Sequence, residues 1–162
     1  MIIRYSGIED LTEIVNIYNS TIPGRMVTAD TELVTVEQKM DWFNDHNNDK
    51  RPLWVMELEG QIVAWMSFQS FYGRPAYGGT VEISIYVDEN FRGKGFGESF
   101  LKFAIENSEK YGVKVLLGFI FGHNKPSLKL FEKYGFSSWG NLEKIAVLDD
   151  IERDLIIVGK RL

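Results

Sequence analysis

The stretch that decides the fold is Thr80-Val-Glu-Ile-Ser-Ile-Tyr-Val87, followed directly by Asp88-Glu-Asn-Phe-Arg-Gly-Lys-Gly-Phe-Gly97. Residues 80–87 alternate between apolar and polar side chains, the period of two that predicts a half-buried β-strand. From residue 97 to residue 111 the apolar positions follow the spacing of an amphipathic helix. A strand that enters a helix through a glycine-rich loop is typical of an anion-binding site, because main-chain N–H groups and the helix N-terminus face the anion.

The loop itself combines glycines with basic side chains. It reads Arg92, Gly93, Lys94, Gly95, Phe96 and Gly97, and Glu98 follows. Glycine lets the main chain approach phosphates and adopt positive φ, and Arg and Lys add full positive charge. Glu98 stands where the dinucleotide fingerprint needs its third glycine, and no Ser or Thr follows Gly-Lys as in a Walker loop. The loop therefore predicts a pyrophosphate site of another kind, with a simple strand-to-helix turn as the alternative.

Outward from this stretch, the pattern alternates between strands and helices. Upstream it predicts strands over 2–5, 53–58 and 62–71 and helices up to about residue 20 and after residue 35; downstream it predicts a strand over 113–121, a helix over 126–134 and a last strand over 154–158. Ser6 with Glu9 and Thr35 with Gln38 have the spacing of capping boxes. We expect one α/β domain of the α+β type over residues 1–162, with flanking helices on a central mixed, mostly antiparallel sheet.

Composition excludes several classes of protein. The chain has 162 residues, no cysteine, two histidines and a net charge of −5. Cysteine chemistry and Cys-ligated zinc are impossible, and we expect no metal site. The negative net charge argues against nucleic acid as the main partner, because phosphate binding needs a basic face. No apolar run is long enough for a membrane span and no secretory leader is visible, so a cytoplasmic protein is the default expectation.

Two motifs together resemble the GNAT superfamily of N-acetyltransferases. The acetyl-CoA loop of that superfamily maps onto Arg92, Gly95 and Gly97. Asn124, Ser127 and the run Leu130-Phe-Glu-Lys-Tyr-Gly-Phe136 resemble its Asn-x-x-Ser helix, which ends in Gly-Phe. Each motif alone is modest evidence, since the second also fits an ordinary capped helix, but the two at this separation are strong.

The resemblance implies acetyl-CoA as co-substrate and a strand that splays from its neighbour. Main-chain groups near Ile85, Tyr86 and Val87 are expected to hold the pantetheine arm and the acetyl carbonyl. The full expected set of acetyl-CoA contacts is Ile85, Tyr86, Val87, Arg92, Gly93, Lys94, Gly95, Phe96, Gly97, Glu98, Asn124 and Ser127.

Within the superfamily the chain is most similar to the phosphinothricin acetyltransferase-like group. The shared segments include Gly73-Arg-Pro-Ala-Tyr77 and residues 80–87, and the likeness spans roughly residues 2–140. It implies a homodimer. The chain departs from the group at Phe131, where relatives carry His or Tyr, and beyond residue 148, where the C-terminal pattern of the group is absent. These departures leave the proton donor for the leaving thiolate and the identity of the acceptor open.

Glu82 is the candidate general base. An alkyl ammonium with a pKa near ~10 cannot attack a thioester until a base removes a proton. Glu82 lies on the polar face of the strand that leads into the loop, and a Glu at the matching place is the proposed base of phosphinothricin-type relatives. The alternative is a solvated carboxylate. For the acceptor we name Arg74, Tyr77 and Thr28, each also compatible with an ordinary surface role.

Three functions are consistent with these residues. The first is acetyl transfer to the primary amine of a small, amino-acid-like molecule of the phosphinothricin or methionine sulfone type. The second is acetylation of a protein N-terminus, a lysine or a polyamine, which the acidic net charge would suit. The third is a non-catalytic acyl-CoA sensor, which Phe131 keeps open.

Overall fold

Seven strands and four α-helices alternate along the chain in the computed structural model, which describes residues 1–162. The strands are β1 (Ile2–Tyr5), β2 (Leu53–Leu58), β3 (Gln61–Ser70), β4 (Thr80–Val87), β5 (Val115–Phe121), β6 (Ser137–Leu148) and β7 (Ile151–Arg161). The helices are α1 (Leu11–Thr21), α2 (Val36–Asn44), α3 (Phe96–Asn107) and α4 (Lys125–Lys133).

All strands belong to one sheet, in the order β1-β2-β3-β4-β5-β7-β6. Every neighbouring pair is antiparallel except β4 and β5, which run parallel through the crossover helix α3. The prediction of a mixed, mostly antiparallel sheet with flanking helices is confirmed.

Strands β4 and β5 are paired over only part of their length. They pair only from Thr80↔Val115 to Glu82↔Leu117, whereas β4 stays paired with β3 as far as Ala64↔Val87. The second half of β4 therefore presents one edge that no strand covers, and this is the splayed pair that the resemblance implied.

Each face of the sheet has its own core. On one side α3 packs Phe100 and Leu101 against Trp54 and Phe68, all at most 2% exposed. On the other side α1 covers β2 and β3 in a smaller cluster that includes Ile14, Ile17, Val55 and Trp65. Full burial of such side chains contributes about 1.5–3 kcal/mol each, so the two cores fix β4 firmly between helix layers.

Helix starts were predicted with mixed success. Thr35 and Gln38 form the expected capping box at the start of α2. The box predicted at Ser6 and Glu9 is wrong, because the Asp10 carboxylate, held by Arg4, accepts from the Gly7 main-chain N–H at 2.7 Å instead. The buried carboxylate of Asp10, paired with Arg4, competes better for that position than an exposed glutamate.

The C-terminal region was predicted least well. A single strand over 154–158 was expected, but the chain forms the long antiparallel pair β6 and β7. The pairing slips at two bulges, between Ser138 and Gly140 and between Leu142 and Ala146, and Lys144 adopts a φ of 53°. Bulges interrupt the period of two that reveals a strand in sequence. No helix in the structure is both long and apolar enough to cross a membrane.

Candidate acetyl-CoA and acceptor site

A cavity of about 370 Å³ fills the opening between β4 and β5. Its walls come from residues 82–87 of β4, residues 118–121 of β5, the loop before α3, the first turns of α4, and the segment after α1. Of the predicted acetyl-CoA contacts, those that line it are Ile85, Tyr86, Val87, Arg92, Gly97, Asn124 and Ser127, and the predicted base Glu82 lines it too. Residues that are distant in sequence thus converge on one cleft, as a long, narrow cofactor arm requires.

Helix α3 begins without a side-chain cap. Its N-cap is Gly95, with a φ of 83°, so no side chain accepts from the first N–H groups of the helix. Those groups have no intrahelical partner either and carry the positive end of the helix dipole. Gly97 and Arg92 border the cavity beside them. The arrangement fits a pyrophosphate, which accepts hydrogen bonds and carries negative charge.

The remaining predicted loop residues do not line the cavity. The Lys94 ammonium lies 5.2 Å from the centre of the Phe91 ring. Glu98 accepts hydrogen bonds from Lys133 and, at 2.7 Å, from the Tyr134 hydroxyl. These partners hold the pKa of Glu98 below its usual range, and the hydrogen bond to Glu98 raises the pKa of Tyr134. Gly93, Lys94, Gly95 and Phe96 shape the loop, while Arg92 and Gly97 meet the cleft.

Asn124 lies at the start of α4 and forms hydrogen bonds both to that helix and to the segment after α1. Its Oδ1 accepts from the Ser127 main-chain N–H at 3.3 Å, and its Nδ2 donates to the Met26 carbonyl at 3.1 Å. Met26 and Val27 line the same cavity. The side chain that the resemblance assigned to the cofactor therefore also caps α4 and holds the segment after α1 over the cleft.

Phe131 forms part of the wall opposite β4. It is 7% exposed and packs against Phe136 with ring centres 4.8 Å apart. A Cβ atom on Gly118 would come within 3.0 Å of its ring, so glycine at this point of β5 makes the room that Phe131 occupies. The Phe131 side chain has no hydroxyl that could protonate a leaving thiolate.

A second cavity, of about 200 Å³, lies between α1, α2, β3 and β4. It shares Glu82, Ser84 and Tyr86 with the first cavity. Its other walls combine aromatic, aliphatic and polar side chains and are formed by Ile14, Val15, Tyr18, Lys39, Trp42, Trp65, Ser67 and Gln69. The polar face of β4 is therefore the common boundary of two cavities.

Glu82 lies at this boundary and is half-buried. No hydrogen-bond donor or cation is paired with its carboxylate in the structure, and its neighbour across the β3–β4 ladder is Gln69. Burial raises the pKa of the Glu82 carboxyl above its usual value. A carboxylate with a raised pKa is a better proton acceptor than a solvated one.

The three residues named for the acceptor lie outside both cavities. Thr28 is buried, and its hydroxyl shares a 2.6 Å hydrogen bond with Tyr18. Arg74 is exposed at the start of a short 3₁₀ turn. Tyr77 is 42% exposed and packs edge-on against Phe71. In the single chain the structure does not bring Arg74 or Tyr77 to Glu82.

Sequence reasoning missed the residues that do face Glu82 across the second cavity. Lys39, Trp42 and Trp65 were not among the predicted site residues. Lys39 lies three residues before Trp42, one helical turn away on the same face of α2, which was the available signal. Trp65 could not be placed from sequence, since the face that a strand turns to a cavity depends on its pairing. No group of three or more His, Asp or Glu side chains is placed to hold a metal ion.

Comparison with known proteins gives consistent matches. The model of the acetyltransferase (GNAT) family matches residues 11–136. YwnH of Bacillus subtilis, provisionally named a phosphinothricin acetyltransferase, is 53% identical over 100% of this chain and 99% of its own. The L-methionine sulfoximine/L-methionine sulfone acetyltransferase of Pseudomonas aeruginosa is 28% identical over 88% of this chain and 84% of its own.

One of the similar solved structures was determined with acetyl-CoA. The protein yncA of Salmonella typhimurium, whose structure was determined with acetyl-CoA, superposes with a TM-score of 0.93. It is 25% identical, and the alignment covers 100% of this chain and 94% of that one.

Proposed function

This chain belongs to the acetyltransferase (GNAT) family, and from that premise we propose that it moves the acetyl group of acetyl-CoA to the primary amine of a small, amino-acid-like acceptor. The observation that carries the proposal is the pair of cavities that meet at Glu82, Ser84 and Tyr86. One suits acetyl-CoA, because it offers a helix N-terminus, Arg92 and an uncovered strand edge. The other suits a small acceptor.

The reaction forms a C–N bond between the amine and the acetyl carbon and breaks the C–S bond, so that the sulfur leaves with the bonding pair and then takes a proton. Glu82 takes the proton that the ammonium must lose, directly or through water. Main-chain N–H groups near Tyr86 and Val87 stabilise the negative charge that develops on the acetyl oxygen. Because Phe131 has no proton to give, the thiolate is protonated from water.

The acceptor that we propose is an L-amino acid of the phosphinothricin or methionine sulfone type. The names of the B. subtilis and P. aeruginosa relatives support this class. The size of the second cavity supports it too, because about 200 Å³ is below the roughly 300–1,000 Å³ that drug-sized ligands occupy. An aminoglycoside or a folded peptide segment would not fit inside it.

A panel assay tests this function. Thiol release from acetyl-CoA is measured with amino acids, methionine sulfone, methionine sulfoximine, phosphinothricin, polyamines, aminoglycosides and a peptide with a free N-terminus. We expect the fastest release with one of the sulfone, sulfoximine or phosphinate amino acids. Fastest release with the peptide would replace the proposal by protein acetylation. Tight acetyl-CoA binding without release from any amine would replace it by an acyl-CoA sensor.

We also propose that residues 1–162 act as one catalytic domain in the cytoplasm and pair with a second copy. The pair β6 and β7 exposes several apolar side chains, among which Ile145, Val147 and Ile151 are 57%, 61% and 49% exposed. Strand β6 is also an edge strand, and such an edge favours pairing with another chain. Light scattering should give twice the chain mass, and V147E should lower it; a monomeric wild type would refute the dimer.

A further inference from the structure

The second cavity contains one basic and one acidic side chain, Lys39 and Glu82. Its other titratable groups, Tyr18 and Tyr86, are neutral at pH 7, since burial raises the pKa of Tyr86 to about 12 and that of Tyr18 further. A cavity with one charge of each sign is complementary to a zwitterion. A polyamine would bring a second positive charge to Lys39.

Lys39 is held over aromatic rings and has no ion pair. Its ammonium is 4.8 Å from the centre of the Tyr18 ring and 5.6 Å from the centre of the Trp42 ring. None of the salt bridges in the structure involves it. Cation–π contacts orient a lysine without neutralising it, so its full charge is available to an anionic ligand.

Two further donors line the same cavity without a protein partner. The Ser67 hydroxyl and the Trp65 indole N–H are buried, with residue exposures of 0% and 3%, and neither is hydrogen-bonded. Both lie on β3, directly across from Ser84 and Tyr86. A buried donor without a partner costs about 1–3 kcal/mol, so two of them beside an unpaired lysine suggest a ligand that accepts hydrogen bonds.

We propose that Lys39, Ser67 and Trp65 bind the carboxylate of the acceptor and so select free amino acids over other amines. The inference rests on the proposed acetyl transfer and adds the specificity residues of that reaction. With the carboxylate held by Lys39 and β3, the amine of the acceptor points to β4, between Glu82 and Tyr86. From there it reaches the acetyl end of the first cavity.

The test compares the fastest acceptor of the panel with its carboxamide, which keeps the amine and loses the negative charge. Wild-type enzyme should prefer the carboxylate by tenfold or more in kcat/KM. K39M should abolish most of that preference through a higher KM, leave the carboxamide rate near wild type, and leave acetyl-CoA affinity unchanged. S67A should reduce the same preference several-fold. K50M, which removes an exposed lysine outside both cavities, is the matched control and should change nothing.

The outcomes separate the two proposals. Equal loss on both acceptors in K39M, or an unchanged preference in both K39M and S67A, would overturn the assignment of the carboxylate subsite while acetyl transfer stands. A fastest acceptor without a carboxylate would do the same. If the wild-type enzyme releases no thiol from acetyl-CoA with any amine, the proposed acetyl transfer is overturned, and the carboxylate subsite with it.

Discussion

The two cavities on either side of β4 are built in different ways. The proposed acetyl-CoA cleft offers main-chain groups to its ligand, at an uncovered strand edge, a glycine-rich loop and an uncapped helix start. The acceptor cavity is formed by side chains from α1, α2, β3 and β4. Main chain recognises what all acetyl-CoA enzymes share, whereas side chains can be exchanged to suit one acceptor. The difference predicts that substitutions on the two sides have separable effects.

The largest expected effect lies at the boundary itself. E82Q removes the proposed base with little change of shape, and loss of a general base costs about 10²–10⁴ in rate. Turnover should therefore fall by a factor of about 100 or more, while the calorimetric Kd of acetyl-CoA stays at the wild-type value. E106Q, which changes an exposed glutamate on α3, is the control and should keep full activity. Unchanged turnover in E82Q would remove Glu82 from the chemistry.

The wild-type pH profile tests the same residue without a substitution. Glu82 acts as a base only when it is deprotonated, and burial raises its pKa. The value of kcat/KM should therefore fall with decreasing pH, with a midpoint above the usual pKa of a glutamate, about 4.3. The midpoint should be absent from the residual activity of E82Q. An acidic limb that persists unchanged in E82Q would belong to another group.

Next in size is the effect of Gly95, which shapes the loop and the start of α3 beside the proposed acetyl-CoA cleft. Gly95 and Gly60 have nearly the same left-handed φ, 83° and 81°, and open space where a Cβ would go. Alanine at either position should cost a similar amount of stability, about 1 kcal/mol. Only G95A should also weaken acetyl-CoA binding, by about tenfold, because it disturbs the start of α3. Equal Kd values for G95A and G60A would mean that this loop does not hold the pyrophosphate.

The same contrast explains what could be predicted from the sequence. Residues 80–97 form a strand, loop and helix that are contiguous in the chain, so local spacing predicted these elements and the start of the cleft, while the splay of the strand was implied by the family resemblance. The acceptor cavity depends on which face β3 turns toward β4 and on how α2 packs, and both are set by tertiary contacts. For that reason Arg74 and Tyr77, close to β4 in sequence, were named for the acceptor, while Lys39 and Trp65 were passed over.

A smaller effect is expected at Asn124, where the cleft is closed by side-chain contacts. N124A removes the cap of α4 and the hydrogen bond to Met26. T35A removes the cap of α2, away from the cleft. Each should lower the free energy of unfolding by about 0.5–2 kcal/mol, but only N124A should also raise the Kd of acetyl-CoA, by a few-fold. Equal Kd values would mean that the segment after α1 does not contribute to the cofactor site.

The smallest expected effect is on the stability of the folded state, which burial of the ionised Glu82 carboxylate lowers. Since the pKa of Glu82 is higher in the folded state than in the unfolded state, the folded state binds its proton more tightly, and ionisation destabilises the fold as pH rises through the folded-state pKa. E82Q cannot ionise, so at pH 7 it should melt above wild type, and the gap should close at a pH below the pKa of unfolded glutamate. Thermal unfolding at the two pH values measures this. If the difference in melting temperature is the same at both pH values, the higher stability of E82Q comes from packing. If E82Q is less stable than wild type at pH 7, the folded protein stabilises the ionised carboxylate, and burial does not raise the pKa of Glu82.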